Sequence, residues 1–505
     1  MPYQSVLILA IVAMAVVGHT EAAELRLGRI FGDHVVLQRD TPLPIWGWAS
    51  PDQRVDVSFA GQTVRTTTLA DGRWKAQLEP VAASMAGREL VVSAGEKDVT
   101  VRDVLVGDVW HASGQSNMAM TMQSVASRLG AAVQDIEKAD FPGMRFCRLQ
   151  QGPSKVPLSD SGKVSWTSIT PGTVGTVSAV AFYTARKLQE ELEVPIGVID
   201  SSRGGTPIEP YIPLDSFGLH PTLIRERELA GIEDLAALAR LAGGVRARDA
   251  NWLPGRLFNS RIAPLLPFAV KGVLWYQGES NCGVKEDPRH YVDKMRALIT
   301  GWREQLAQTE LPFYFVQLPG SGAGAGWPYL REQQRLSLSV SETGMAVTID
   351  LTDDDIHPAN KSDVGDRLAR LALAYTYDRS LVPSGPLFDR LTSDGQQLIV
   401  HFKHAEDGLQ LAKKEGLSAP VREAGVELRH VEVADLARVW HPADARIDGE
   451  TLVVKSKDGI TPVAVRYAYE VDPRHAHLYN AAGLPASPFC SHPGWLAYDP
   501  QLPKE

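Results

Sequence analysis

The chain opens its ordered pattern with short segments of strand-forming residues. VDVSFAG, TVRTTTL, RWKAQL and ELVVSAG are short, rich in β-branched residues and separated by turn signals such as Ala70-Asp71-Gly72. Such segments predict a β-sandwich-like unit over residues 24–103. From Val104 the pattern changes to continuous apolar runs, VLVGDVW, PIGVIDS, VKGVLWY, FYFVQL and MAVTIDL. Runs of this length suit strands covered on both faces. Between them lie amphipathic stretches such as VAFYTARKLQEEL, where Val180, Tyr183, Leu188 and Leu192 follow a helical face. Strand and helix in alternation predict an α/β domain with a parallel sheet over 104–382, carrying a helical insertion over about 213–254. After Pro383, QQLIVHF, VEVADL, ETLVVKS and AVRYAYEV predict a β-rich module over 383–505.

Before this pattern begins, residues 1–23 hold an apolar run from Val6 to Val17 followed by small residues at Ala22 and Ala23. The run is short for a bilayer span and predicts a removable export signal, with a buried strand or an uncleaved anchor as the alternatives. The protein is therefore expected to be exported, periplasmic or extracellular. The net charge of -9 comes without a basic cluster, which argues against nucleic acid as a partner. No later segment is apolar enough to cross a membrane. Cys147, Cys282 and Cys490 are odd in number and match no metal-site spacing. A Cys147–Cys490 bridge stays open, but no disulfide framework is expected.

Ligands of open parallel sheets bind beyond the carboxyl ends of the strands. The residues just past each predicted strand therefore matter most. After VLVGDVW comes HASGQSNM, with Ser116 in a turn of small residues. SRGGTPIEP comes after PIGVIDS, and QGESN after VKGVLWY. After MAVTIDL comes TDDDIHP, with Asp354 three residues before His357. A hydroxyl, a glycine pair, an amide–carboxylate cluster and an acid–imidazole pair are the parts of an acyl-transfer site. A serine becomes a nucleophile when an imidazole takes its proton, and a carboxylate fixes the tautomer of that imidazole. Preorganised donors must meet the oxyanion. The amides of Ser116 and Gly205 qualify, with Gln277 or Asn281 as side-chain help. Each element has a plainer reading: Gly-x-Ser is common in turns, Gly204-Gly205 could mark only a sharp bend, and the aspartate run could be a solvated loop or a hard-cation site. Their coincidence at one sheet edge favours catalysis.

GDVWHASGQSNM, SSRGGTPIE, GVLWYQGESN and DDDIHP resemble the four blocks of sialate O-acetylesterases, within the SGNH-hydrolase superfamily. VLQRDTPLPIWGWA, RLFNSRIAPLLPFAVKG and LYNAAGLPASPF extend the resemblance over nearly the whole chain. It implies a flavodoxin-like three-layer hydrolase domain flanked by β-rich modules, acting as a serine esterase on acetylated sialic acid or another acetylated glycan. It implies no metal and no cofactor. By position, Ser116 matches the nucleophile, His357 the general base, Asp354 the acid that orients it and Gly205 the oxyanion glycine. Gln277, Glu279 and Asn281 all match the third block; which of them faces the oxyanion stays open, and Glu279 competes with Asp354 for the orienting role. Arg203 stands where an aromatic residue is usual, Cys282 where a small one is usual, and Cys490 where an arginine often comes after the Phe. Arg203 is a candidate to pair with a substrate carboxylate such as sialic acid offers, the alternative being a salt bridge to Glu209 or a solvated position. Three rival functions remain: an acetylesterase for xylan or pectin, a non-catalytic glycan-binding protein on a hydrolase scaffold, and a metal hydrolase built on the aspartate run.

Overall fold

The computed structural model describes residues 24–224, 227–228, 252–282, 287–422, 425 and 427–498. The predicted export signal lies outside these residues, as does most of the predicted insertion, of which 3-10 turns at Leu214–Leu219 and Pro221–Leu223 are described.

The fold is mixed α/β, and its central sheet is built around one long strand, β1 (Lys97–Gly114). The other strands are β2 (Phe141–Arg148), β3 (Trp166–Ile169), β4 (Ile196–Asp200), β5 (Gly272–Tyr276), β6 (Phe313–Val316) and β7 (Thr343–Ala346). They run in the order β3-β2-β4-β1-β5-β6-β7. Every neighbouring pair is parallel except at the edge strand β3, which runs antiparallel to β2. From Val104 to Gly114 every residue of β1 is buried, as a continuous apolar run requires. Strands β2 and β3 lie outside the five apolar runs; in β2, Arg145 and Arg148 interrupt the segment MRFCRL. Strand β7 also ends at Ala346, earlier than MAVTIDL suggests, and Ile349–Leu351 forms a 3-10 turn.

Four helices pack on the sheet: α1 (Ala179–Leu192), α2 (Tyr291–Leu306), α3 (Trp327–Leu336) and α4 (Lys361–Tyr375). Successive strand residues point to opposite faces. Thus Phe313 and Trp275 meet Trp302 of α2, whereas Tyr314 meets Tyr375 of α4. α1 and α4 pack against each other, as do α2 and α3.

The amino half of β1 belongs to a second environment. It pairs antiparallel with Ser84–Ala94, while Val36–Gln38 runs parallel to Leu105–Gly107. One strand therefore crosses the expected 103/104 boundary unbroken. Nearby, the strands Arg54–Phe59, Gln62–Thr67 and Arg73–Leu78 fall on VDVSFAG, TVRTTTL and RWKAQL. At the carboxyl end, Leu387–Ser393, Leu398–Lys403, Thr451–Ser456, Trp440–Asp448, Val431–Ala434, Ala464–Tyr467 and Phe489–Cys490 form a seven-stranded antiparallel sheet, in that order. This β-rich region is tied to the central unit by Gln317, whose amide donates to Ser487 Oγ at 2.9 Å, and by Arg331, which donates to the Val471 carbonyl at 3.2 Å. Cys147 and Cys490 are buried free thiols, so the Cys147–Cys490 bridge does not form. No helix among the described residues is long and apolar enough to cross a membrane.

His111 of β1 lies inside this core, with Nε2 2.8 Å from Ser201 Oγ and its ring 5.1 Å from Trp302. Burial pushes its pKa down to about 3, which keeps the folded imidazole neutral. The unfolded chain regains an ordinary imidazole and binds one extra proton between pH 6.5 and about 3. Its contribution to stability is thus whole above pH 6.5 and fades as pH falls through that window. The stability of His111→Gln should fall less steeply than that of the wild type between pH 6.5 and 4, by up to about 1.4 kcal/mol per pH unit, measured by denaturant unfolding. Equal slopes would show that the imidazole is not held neutral.

Candidate active site

Strand β1 ends at Gly114 with φ +132°, where a Cβ would lie 2.1 Å from the Tyr276 carbonyl oxygen. The absent side chain lets the chain cross close to β5, and the Gln115 amide donates to that carbonyl at 2.9 Å. A single helical turn, Ser116–Ala119, starts directly afterwards. Its first residue carries the hydroxyl. His357 comes from the loop between β7 and α4, and its Nε2 lies 2.8 Å from Ser116 Oγ. Residues 241 positions apart thus meet at proton-transfer distance.

The other nitrogen of the imidazole corrects the expected pairing. His357 Nδ1 lies 3.3 Å from Asp355 Oδ1, not near Asp354. The same Asp355 oxygen accepts the His357 backbone amide at 2.9 Å. That bond, with the Arg128 guanidinium 3.3 Å away, holds the Asp355 carboxyl below the usual carboxylate range. Asp354 instead turns to solvent, 93% exposed, where it accepts Arg474 Nη2 at 2.8 Å. A three-residue spacing brings side chains to one side only in a helical turn. This loop is not helical. Asp353 folds it by accepting the Asp355 amide at 2.8 Å and the Ala359 amide at 3.0 Å. Arg128 fastens the outside, donating to the His357 carbonyl at 2.5 Å and to Asp353 at 3.2 Å.

The second strand end brings Gly204 beside the nucleophile; a Cβ there would be 3.6 Å from Ser116 Cβ. Gly205 comes next with φ +72°. Among the described residues neither the Ser116 amide nor the Gly205 amide donates a hydrogen bond. Both are therefore open to an oxyanion. Arg203 donates its backbone amide to the Gly114 carbonyl at 3.0 Å and is half-buried. Its side chain forms no ion pair among the described residues, because Glu209 is occupied by Lys294 and by Asn281 at 3.2 Å.

The third block is committed inward, against the expectation of an oxyanion donor there. Gln277 Nε2 donates to Gln115 Oε1 at 3.0 Å and to Asn281 Oδ1 at 2.7 Å, which uses its two strong donor positions. The Tyr291 hydroxyl donates to Gln277 Oε1 at 2.7 Å. Asn281 Oδ1 also accepts the Ile208 amide at 3.0 Å. Both side chains are fully buried. Glu279 does not reach His357 either. Burial pushes its carboxyl up, and it accepts a hydrogen bond from Asn117 Nδ2.

Asn117, Arg128, Asp355 and Lys361 complete the site, and the sequence pattern does not single them out for these roles. Asn117 Nδ2 donates also to the Ile356 carbonyl at 3.0 Å, and Lys361 Nζ donates to Asn117 Oδ1. Lys361 is fully buried, and burial brings its pKa down to about 7. One signal is present for Lys361: it falls on the apolar stripe of its helix, three and seven residues before the buried Val364 and Leu368.

Residues 106–374 match the family described as carbohydrate esterase, sialic acid-specific acetylesterase. The mouse sialate O-acetylesterase is 29% identical, over 95% of this chain and 97% of its own. The human sialate O-acetylesterase is likewise 29% identical, over 92% of each chain. The crystal structure of a carbohydrate acetylesterase from Xanthomonas citri superposes with a TM-score of 0.81 at 35% identity, covering 92% of this chain and 99% of that one. The chain thus belongs to the sialic acid-specific acetylesterase family of carbohydrate esterases.

Proposed function

We propose that the protein is a serine esterase that hydrolyses O-acetyl esters of sialic acid through an acyl-enzyme on Ser116. The observation that carries this reading is the 2.8 Å contact between His357 Nε2 and Ser116 Oγ, at the carboxyl edge of the parallel sheet. Membership of the acetylesterase family supports a carboxylic ester hydrolase acting on sugars, and the sialate O-acetylesterases support the substrate.

Ser116 Oγ attacks the acetyl carbonyl carbon while His357 Nε2 takes the hydroxyl proton. The oxyanion is met by the amides of Ser116 and Gly205. His357 then gives the proton to the departing sugar oxygen, the C–O bond breaks, and acetyl-Ser116 remains. Water repeats the sequence: His357 takes its proton, acetate leaves, and the proton returns to Ser116. Asp355, rather than Asp354, orients the imidazole through Nδ1. Arg203 lies on the glycine segment beside Ser116 with its charge unclaimed, and suits the carboxylate of sialic acid. The architecture fits an SGNH-type three-layer domain over 104–382, between β-rich units at 24–103 and 383–505. Residues 1–23 suit an export signal and a mature protein outside the cytoplasm.

Ser116→Ala and His357→Ala should each lower kcat on an aryl acetate by about a thousandfold or more, measured on folded protein. Near-normal turnover in pure Ser116→Ala would remove the serine mechanism. Asp355→Asn should lower kcat by roughly 10- to 100-fold, less than for a buried triad aspartate because its carboxylate is half-exposed and the contact is long. Asp354→Asn should stay within about twofold, as an exposed ion pair contributes little. The reverse ranking would restore Asp354 to the orienting role. Arg203→Ala should raise KM for O-acetylated sialic acid about tenfold or more, the value of a charge-assisted hydrogen bond, and leave KM for its methyl ester unchanged. Equal effects on acid and ester would rule out carboxylate recognition.

A further inference from the structure

The proton-transfer contact joins two segments that are otherwise distant in sequence. One residue after Ser116 and one before His357, a second bond runs parallel to it: Asn117 Nδ2 donates to the Ile356 carbonyl at 3.0 Å. A primary amide can be turned over with little change of shape, exchanging its donor and acceptor ends. What fixes Asn117 is a donor on one side and an acceptor on the other. Lys361 Nζ donates to Oδ1, and the Glu279 carboxylate accepts from Nδ2. Turned over, the amide would present NH2 to an ammonium and a carbonyl oxygen to a carboxylate.

We propose that Lys361 and Glu279 are positioning residues for ester hydrolysis, holding Asn117 in the one orientation that clamps the Ser116 turn to the His357 loop. The proposal rests on the reading that Ser116 and His357 are the reacting pair.

Two features set this cluster apart from a structural ion pair. First, the two ions do not bond to each other, because the Asn117 amide is interposed between them. Second, Lys361 is poorly placed for stability. It is 0% exposed, it opens α4, where the helix dipole disfavours a cation, and Asn117 Oδ1 is its acceptor among the described residues. The Tyr276 ring, 5.3 Å away, adds a face that tolerates positive charge. Glu279 Oε2 is buried without a partner among the described residues. Both ions are thus desolvated with incomplete compensation, a cost that a core assembled for stability alone would avoid by using apolar residues.

The test compares wild type, Lys361→Met and Asn117→Ala by steady-state turnover of an aryl acetate and by labelling of Ser116 with a small fluorophosphonate. Labelling amplitude counts correctly folded sites, and the labelling rate constant reports how well the pair is aligned. For both variants kcat and the labelling rate constant should fall about 10- to 100-fold, the effect of a displacement near 1 Å, with KM within about twofold and amplitude retained. Should Lys361→Met fail to fold, Asn117→Ala, which keeps both ions, carries the test. A labelling rate constant within twofold of wild type, with or without reduced amplitude, would make the cluster merely structural and overturn the proposal. Ser116→Ala run alongside separates the two readings: if it still turns over, the nucleophile assignment has failed, not the clamp.

Discussion

The site depends on how strand β1 stops. At Gly114 the backbone passes so close to the Tyr276 carbonyl that no side chain fits, and the next amide bonds to that carbonyl. The helical turn that presents Ser116 starts from this crossing. Because β1 also pairs with Ser84–Ala94 and Val36–Gln38, its far half is anchored beyond the parallel strands. The nucleophile is therefore carried by a strand gripped along its whole length, whereas its base comes from a loop.

Ser116 is flanked by two amides that anchor it differently. Gln115 Oε1 accepts from Gln277 and from the Ser280 amide at 3.1 Å, joining a buried network of Tyr291, Asn281, Glu209 and Lys294. That network is densely hydrogen-bonded and fixes the turn against β5. Asn117 faces the opposite way, toward Glu279, Lys361 and Ile356. One neighbour thus secures the serine to the sheet, and the other secures it to its base. Third-block residues contribute to both networks, which explains why they sit at the site without offering a free donor.

The sheet is legible in the sequence because strands covered on both faces must be apolar throughout, and five such runs stand out. Ser116 and His357 are legible because each comes just after one of those runs. Strand β2 and its edge neighbour β3 are not: in β2 charged residues such as Arg145 break the run, although Arg145 is itself buried and donates to Asp103 at 3.1 Å. Side-chain direction is not legible either. Gln277, Asn281 and Glu279 group correctly by position. Whether an amide points at the substrate or into the core depends on partners such as Tyr291 and Glu209, which no local pattern reveals. Lys361 reads as an ordinary helix charge unless its place on the apolar stripe is weighed.

In the aspartate run the surroundings decide even more. Three adjacent carboxylates repel one another unless each meets its own compensation. Asp353 is turned to loop amides and Arg128, Asp354 to Arg474, and Asp355 to His357 with Arg128 behind it. Arg474 comes from the β-rich carboxyl-terminal region and also holds Asp472 at 2.9 Å. Its exposed pair with Asp354 adds little stability by itself. With Asp354 turned to Arg474, Asp355 meets Nδ1 without a second anion competing for the same proton. The backbone bonds that fold the loop, with the arginines around it, place Asp355 rather than Asp354 beside the base.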